Sequence, residues 1–238
     1  MKNHNIFYVP YELFRDNEAV IQGSELHHIR NVLRKKEGEQ ITLTDGQGNL
    51  YQAEICRNDQ FKMVARILKK EHHSRTHSLE ITLGFVPVKG LRNDVVIEKG
   101  TEIGVWRFII FSSEYAMVRD FGTQKIERFK KIARSAMVQS QRYYLPEIVR
   151  AKHITEMLQL CNGYDMIVVA DPCGKADVSL GASKMLLVIG PEGGFSETET
   201  NFLVNQGAVL LGLGTTRLRS ETAAIVGISK ILAAYGQI

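Results

Sequence analysis

Short stretches rich in apolar and β-branched residues, set between polar turns, occupy the front of the chain: Ile6–Val9, Ala19–Ile21, Gln40–Thr44, Leu50–Ile55 and Lys62–Leu68. Strands this short at such close spacing predict a compact barrel or sandwich. Asp45-Gly46-Gln47-Gly48-Asn49 lies between two of them and reads as a hairpin turn, because glycine and asparagine accept the backbone angles it needs. One helix is expected to interrupt the strands, starting after Ser24, with Leu26, Ile29 and Leu33 on one face. Lys69–Ser78 (KKEHHSRTHS) is almost free of apolar residues and predicts a solvated connector. The domain boundary is placed there, with a small β domain over residues 1–72 and a second domain over 73–238.

Beyond the connector, apolar runs alternate with segments of helical period. Strands are expected at Leu79–Val88, Val105–Phe111, Tyr164–Ala170, Met185–Ile189 and Ala208–Leu211. Helices are expected at Leu91–Ile103, closed by a left-handed Gly104, from Thr123 to about Arg142, and from Ser220 to the C-terminus. Alternating strands and helices predict a parallel sheet whose exit loops gather at one edge, where such sheets bind ligands. From Ala223 to Tyr235 only Ser229 and Lys230 are strongly polar, so the last helix should be enclosed by protein.

The exit loops carry the candidate chemistry. Met185–Ile189 ends at Gly190-Pro191-Glu192-Gly193-Gly194, a turn whose glycines let a ligand approach the main chain. Ser196 and Glu199 then form a capping box that starts a helix. Tyr164–Ala170 ends at Asp171-Pro172-Cys173-Gly174, and Ala208–Leu211 ends at Gly212-Leu213-Gly214, leading through Arg219 to Ser220, the expected N-cap of the final helix. Three converging loops make a pocket.

Composition changes this picture little. A hydrophobic fraction of 44% and a charged fraction of 24% are those of an ordinary globular protein. The net charge of +4 permits an anionic partner, so local clustering has to carry that argument. One cluster is His28, Arg30, Arg34, Lys35 and Lys36; another is the row Lys125, Arg128, Lys131 and Arg134, flanked by Gln139, Arg142, Tyr143 and Tyr144, donors and rings of the kind that bind single-stranded RNA. A solvated face explains either cluster by itself. Cys56, Cys161 and Cys173 are odd in number and widely spaced, which points away from a disulfide framework and toward a reducing cytoplasm. His72, His73 and His77 lie in the connector without cysteine partners and are read as solvated, so no metal site is expected. No signal segment or membrane span is expected either.

Gly190-Pro191-Glu192-Gly193-Gly194-Phe195 followed by Leu218-Arg219-Ser220-Glu221-Thr222-Ala223 resembles the paired motifs of the RsmE family, the 16S ribosomal RNA uridine-N3 methyltransferases of the SPOUT superfamily. His28 through Leu33-Arg34, Glu98–Val105, and Gln139-Ser140-Gln141-Arg142 with Pro146 are similar to further family segments, so the resemblance spans the chain. It implies a PUA-like β-barrel domain for RNA, then an α/β SPOUT methyltransferase domain with a C-terminal trefoil knot, and a cytoplasmic homodimer acting on 16S ribosomal RNA of the small subunit. The implied donor is S-adenosyl-L-methionine. Its expected contacts are Ala170, the loop of Ile189, Gly190, Glu192, Gly193 and Gly194, then Leu211 and Gly212, and finally Leu218, Arg219, Glu221, Thr222 and Ala223. Arg219 and Arg142 are the candidate catalytic residues. His28, Arg30, Arg34, Lys35, Lys36, Arg134, Gln139 and Arg142 are the candidate RNA contacts. The chain departs from the family's usual pattern at Tyr115, where arginine is common, at Val138 and Gln141, and at Ser220, which replaces a common threonine.

Three rivals stand beside this reading. A dinucleotide or nucleotide-phosphate enzyme is disfavoured because neither Gly-x-Gly-x-x-Gly after an early strand nor Gly-x-x-x-x-Gly-Lys-Ser/Thr occurs. The others are an RNA-binding module that has lost the chemistry, and a SPOUT enzyme acting on another RNA.

Overall fold

The computed structural model describes residues 5–118, 122–175, 177 and 180–238. The chain divides into two compact units, Met1–Arg75 with Met137–Leu145, and Thr76–Ala136 with Pro146–Ile238.

The first unit contains β1 (Ile6–Tyr8), β2 (Phe14–Arg15), β3 (Glu18–Ile21), β4 (Gln40–Thr44), β5 (Asn49–Asn58) and β6 (Met63–His72), in the sheet order β1-β4-β5-β6-β3-β2. All neighbours are antiparallel except the parallel pair β1 and β4. Alternation sets the inward face: Tyr51, Ala53 and Ile55 of β5 meet Ile21, Leu43, Met63 and Ala65 in one core. Helix α1 (Gly23–His27) runs into a π turn at His28–Val32 and adds Leu26 and Ile29 to that core, with Leu33 packed against it.

The first part of the expected connector proves to be strand. Lys69–His72 are the end of β6, and Tyr51 pairs with Lys70 and Asn49 with His72. The sequence misleads here because ladder pairing uses backbone groups and tolerates polar side chains on a solvated face. The His73 amide donates to the Gly48 carbonyl at 2.8 Å, and its ring lies 4.4 Å from that of Tyr143. His77, in the second unit, is 4% exposed with Nε2 2.8 Å from the Ile103 carbonyl. His77 is therefore packed and His73 partly covered, whereas His72 is exposed as expected.

The hairpin turn is held by buried Asp45, whose carboxylate accepts from Gln47 N, Asn49 Nδ2 and the Tyr51 hydroxyl. Gly48 N donates to Tyr143 O at 2.7 Å and Leu145 N to Gly46 O at 2.8 Å, so the segment around Tyr143 and Tyr144 is tied to this turn. A Cβ on Gly48 would lie 2.4 Å from the Tyr144 ring, so glycine is required for the approach.

The second unit is a wholly parallel sheet, as alternation implied: β7 (Glu80–Phe85), β8 (Arg107–Ile110), β9 (Glu147–Arg150), β10 (Met166–Lys175), β11 (Lys184–Ile189) and β12 (Val209–Leu211), ordered β12-β10-β11-β7-β8-β9. Its helices are α2 (Arg92–Ile103), the start of α3 (Thr123–Gln139), α4 (Ile154–Leu160), α5 (Glu197–Asn205) and α6 (Ser220–Ala234). Met185 to Ile189 are each at most 2% exposed. Leu186 and Val188 pack with Met157 of α4 and Leu203 of α5, whereas Leu187 meets Gly227 of α6 on the opposite face. A strand covered on both faces explains the unbroken apolar run. Helix α2 ends as expected at left-handed Gly104, whose amide reaches Gly100 O at 3.0 Å. Helix α6 packs on α2, β7 and β11, and so is enclosed.

One strand end differs from expectation. β10 continues past Ala170 to Lys175 through a register shift in which both Ala170 and Lys175 pair with Leu211. The detour absorbs Pro172, which has no amide to offer a ladder, and brings Gly174 against the backbone of Leu211 and Gly212.

Candidate active site

Because every strand of the second unit runs the same way, its exit loops emerge at one edge of the sheet. The loops after β10, β11 and β12, which are adjacent strands in the order β12-β10-β11, are the ones singled out by sequence. Their backbones are joined closely. Gly212 N donates to Lys175 O at 2.8 Å, and a Cβ on Gly212 would lie 2.7 Å from Gly174 O, which only glycine permits. Lys230 of α6 donates to Gly212 O at 2.8 Å, a cationic donor placed on a strand-end carbonyl.

The glycine turn after β11 is pinned from both sides. Ser196 and Glu199 form the expected capping box of α5, with both reciprocal bonds present. The second Glu199 oxygen accepts the Glu114 amide at 2.8 Å, which fastens the loop leaving β8 to the same box. The Tyr115 side chain, 52% exposed, would lie 3.5 Å from a Cβ on Gly193. The Phe111 and Phe195 rings stack 6.3 Å apart. Glu192 forms an ion pair with Arg92 at the start of α2, and its carbonyl accepts from Arg217 Nη2 at 2.5 Å.

The start of α6 corrects the capping expectation. Arg219 is the N-cap and its side chain makes no capping bond, while the Ser220 hydroxyl donates to Gly190 O at 3.2 Å. Ser220 lies one residue inside the helix, where its short hydroxyl ties the two motif loops together instead of closing its own helix. Glu221 occupies the first turn, where the helix dipole favours an anion. Its Oε2 is buried without a hydrogen-bond partner among the described residues. A buried carboxylate oxygen costs stability unless something donates to it, so this oxygen has acceptor capacity that no described residue uses.

The structure places Ala170, Ile189, Gly190, Glu192, Gly193, Gly194, Leu211, Gly212, Leu218, Arg219, Glu221, Thr222 and Ala223 in the second unit, with Ala170 inside β10 and the start of α6 joined to the loop after β11 by the bond from Ser220 to Gly190. The bare glycine backbones and the orphaned Glu221 oxygen fit a nucleoside-bearing donor with hydroxyl and amine hydrogens to give. Arg92, Tyr115, Arg217 and Lys230 complete the surroundings, and sequence reasoning missed them as site residues. Arg92 and Glu192 are a hundred positions apart in sequence, and only the Tyr115 departure carried any signal.

The candidate RNA residues divide differently. His28, Arg30, Arg34, Lys35, Lys36, Gln139 and Arg142 belong to the first unit and Arg134 to the second. Arg30 spends its guanidinium on the turn between β5 and β6, on Asn58 Oδ1 at 2.8 Å, Gln60 O at 2.9 Å and Asp59 O. Lys35 pairs with Glu39 at 2.9 Å, whereas Arg34 and Lys36 are exposed. His28 packs edge-on against Phe7. Burial holds Arg142 below its ordinary pKa range. Along α3, Arg128 bonds Asp94 at 2.6 Å and Lys130 bonds Glu127 at 2.8 Å, so part of the basic row is neutralised within its own unit. Among the described residues no group of three metal-ligating side chains occurs, and no helix is long and apolar enough to cross a membrane.

A parallel six-stranded sheet with this loop cluster, accompanied by a β-rich unit, defines a SPOUT-type RNA methyltransferase. Residues 75–232 match the RNA methyltransferase domain family and residues 21–56 the RNA methyltransferase PUA domain family. Ribosomal RNA small subunit methyltransferase E of Bacillus subtilis is 31% identical over 225 residues, covering 89% of this chain and 88% of that protein. A Legionella pneumophila methyltransferase solved with bound S-adenosylmethionine superposes with a TM-score of 0.89 at 28% identity, covering 98% of each chain. The small subunit methyltransferase E of Neisseria gonorrhoeae, also bound to S-adenosylmethionine, gives 0.82 at 26% identity over 97% of this chain and 98% of that one. The chain belongs to the ribosomal RNA small subunit methyltransferase E (RsmE) family.

Proposed function

We propose that this protein transfers a methyl group from S-adenosyl-L-methionine to N3 of a uridine in 16S ribosomal RNA, acting as a homodimer in the cytoplasm. The observation that carries the reading is the single cluster of glycine loops closed by the bond from Ser220 to Gly190, with the Glu221 oxygen left over for a ligand. In the same reading residues 1–72 bind RNA and residues 73–238 carry the chemistry, with the C-terminal segment forming the trefoil knot.

S-adenosylmethionine supplies a methyl group already made electrophilic by its sulfonium, so the protein's task is alignment and management of one imide proton. The backbones of Gly190–Gly194 and Leu211–Gly212 shape the donor pocket, Glu221 accepts a donor hydrogen, and Leu218, Thr222 and Ala223 line the helix side. Glu192 is held by Arg92 and serves as a loop anchor. Arg219, exposed ahead of α6, stabilises the negative charge that develops on the uracil carbonyl oxygens as the N3 proton passes to solvent water; Arg142 is the other candidate catalytic cation. N3 lies on the pairing edge, so the uridine must be unpaired or flipped out. His28, Arg34, Lys35, Lys36, Arg134 and Gln139 hold the surrounding RNA, and Arg30 shapes the turn between β5 and β6.

The test is to incubate the protein with radiolabelled S-adenosylmethionine and, in parallel, unmethylated small subunits, naked ribosomal RNA and transfer RNA, then to map label by nucleoside mass spectrometry. Label on N3 of a ribosomal uridine is expected. Label on transfer RNA moves the substrate, and donor binding without any label overturns the catalytic reading.

A further inference from the structure

The turn joining β5 to β6 carries the most exposed large hydrophobic side chain among the described residues. The two strands pair last at Asn58 and Met63, and Asp59-Gln60-Phe61-Lys62 connect them. Phe61 is 79% exposed, and Lys62 beside it is exposed as well. One apolar ring on a surface is common and needs no function. This one differs in how firmly the chain beneath it is held.

Arg30 and Glu37 fix the turn. Arg30, in the π turn after α1, places Nε on Asn58 Oδ1 at 2.8 Å, Nη1 on the Gln60 carbonyl at 2.9 Å and Nη2 on the Asp59 carbonyl. Glu37 accepts the Asn58 amide at 2.9 Å. Gly38 N donates to Ile55 O at 2.8 Å and Ile55 N to Glu39 O at 3.0 Å, which ties residues 37–39 to the same arm of the hairpin. A planar guanidinium with all three nitrogens bound to one short turn holds it in one conformation. The ordering cost that a ligand would otherwise meet on a mobile loop is therefore already met in folding.

The same bonds decide what adjoins the ring. Glu37 ends the run Arg34-Lys35-Lys36-Glu37, in which Arg34 and Lys36 are exposed, so the turn and this basic run are joined within the first unit. An exposed aromatic face beside cations is the combination that holds unpaired nucleotides. Asp59 lies in the turn and Glu37 against it, so the ring, and not net charge, carries the inference.

We propose that Phe61 is a stacking platform for an unpaired base of the substrate RNA. The proposal rests on the RNA methyltransferase reading above and adds to it a residue that holds a base face, where the neighbouring cations hold phosphates. Every base has such a face, so the platform contributes affinity and position and no sequence preference.

The experiment uses the full chain with S-adenosylhomocysteine and a fluorescent single-stranded RNA of mixed sequence, and compares wild type with Phe61→Ala, Phe61→Leu and Phe61→Trp. Anisotropy titrations across salt concentrations give affinity and the slope of log affinity against log salt. Phe61→Ala is expected to weaken binding about fivefold to 150-fold, the worth of one stacked base, with the slope unchanged. Phe61→Leu, apolar but not planar, should bind within about twofold of Phe61→Ala. Phe61→Trp should bind at least as tightly as wild type, and its added indole emission, over the Trp106 background of wild type, should be quenched by the strand. On an abasic strand of the same length wild type and Phe61→Ala should bind alike. Donor affinity and the urea midpoint should not move, because the ring is exposed.

Wild-type affinity in Phe61→Ala, a penalty that persists on the abasic strand, or a slope flattened by about 0.7, as for a lost phosphate contact, would each overturn the platform. So would sedimentation in which Phe61→Ala shifts the protein to a smaller species, which makes the ring a contact between copies. The methylation assay run alongside separates the two claims. If wild type labels ribosomal uridine while Phe61→Ala binds RNA as wild type does, the platform alone falls; if wild type labels nothing yet the penalty on the strand with bases stands, the catalytic reading alone falls.

Discussion

Replacing Glu221 with alanine should move stability and donor affinity in opposite directions. In the free protein Oε2 is buried with no described residue donating to it, a penalty of about 1–3 kcal/mol for such a group. Truncation removes that penalty and installs the best helix former, but forfeits the favourable interaction of a first-turn carboxylate with the helix dipole, about 0.3–1 kcal/mol. The balance is a free protein more stable by roughly 0.5–2 kcal/mol. If the same oxygen accepts a hydrogen from the donor, its loss removes a charge-assisted bond of about 1.5–3 kcal/mol, which weakens S-adenosylmethionine binding on the order of 10-fold to 150-fold. Urea unfolding of the free protein reads the first effect and calorimetric titration the second. A variant that binds the donor as wild type does, or that unfolds at lower urea without donor, refutes the assignment of Glu221 as a ligand acceptor.

Gly212→Ala should be severe, because its Cβ would sit 2.7 Å from the Gly174 carbonyl and the bond from Gly212 to Lys175 would have to open. A loss of about 2–4 kcal/mol in unfolding free energy, accompanied by loss of donor binding, is expected from urea titration and calorimetry. Arg219→Ala should lower turnover at least about tenfold while donor affinity changes less than about threefold, since its side chain caps nothing; single-turnover methylation checks this, and near-normal turnover removes Arg219 from the mechanism. Burial pushes the Cys161 thiol up to about 11 from an ordinary value near 9. The folded pKa is raised, so this contribution is fully present below the unfolded value and is lost as pH climbs through about 9 to 11. Wild type should therefore lose more stability over that window than Cys161→Ala, and at pH 8 exposed Cys173 should react with a thiol reagent well before Cys161.

Local signals were enough for much of the second unit. The apolar run from Met185 to Ile189, the serine and glutamate of the capping box, and Gly104 after the second helix each act through neighbours in sequence, and each element stands where those residues place it. The motifs around Gly190 and Arg219 likewise identified the loops. What the sequence hid are interactions between distant backbones. The polar run Lys69–His72 forms a strand because β5 offers it a ladder, and β10 continues past Pro172 because Leu211 is there to pair with Lys175. Ser220 has the chemistry of a cap, yet its hydroxyl reaches a carbonyl thirty residues earlier in the chain. The ion pair of Glu192 with Arg92 and the contact of Tyr115 with the glycine turn have no local pattern at all. Residue type and spacing determined which elements form and which loops carry chemistry, because propensity, capping and period are properties of neighbours. Only the parallel order of the strands decided which side chains surround those loops, because a carboxylate's donor, a glycine's clearance and a buried oxygen's lack of partner depend on groups that the fold alone brings within bonding distance.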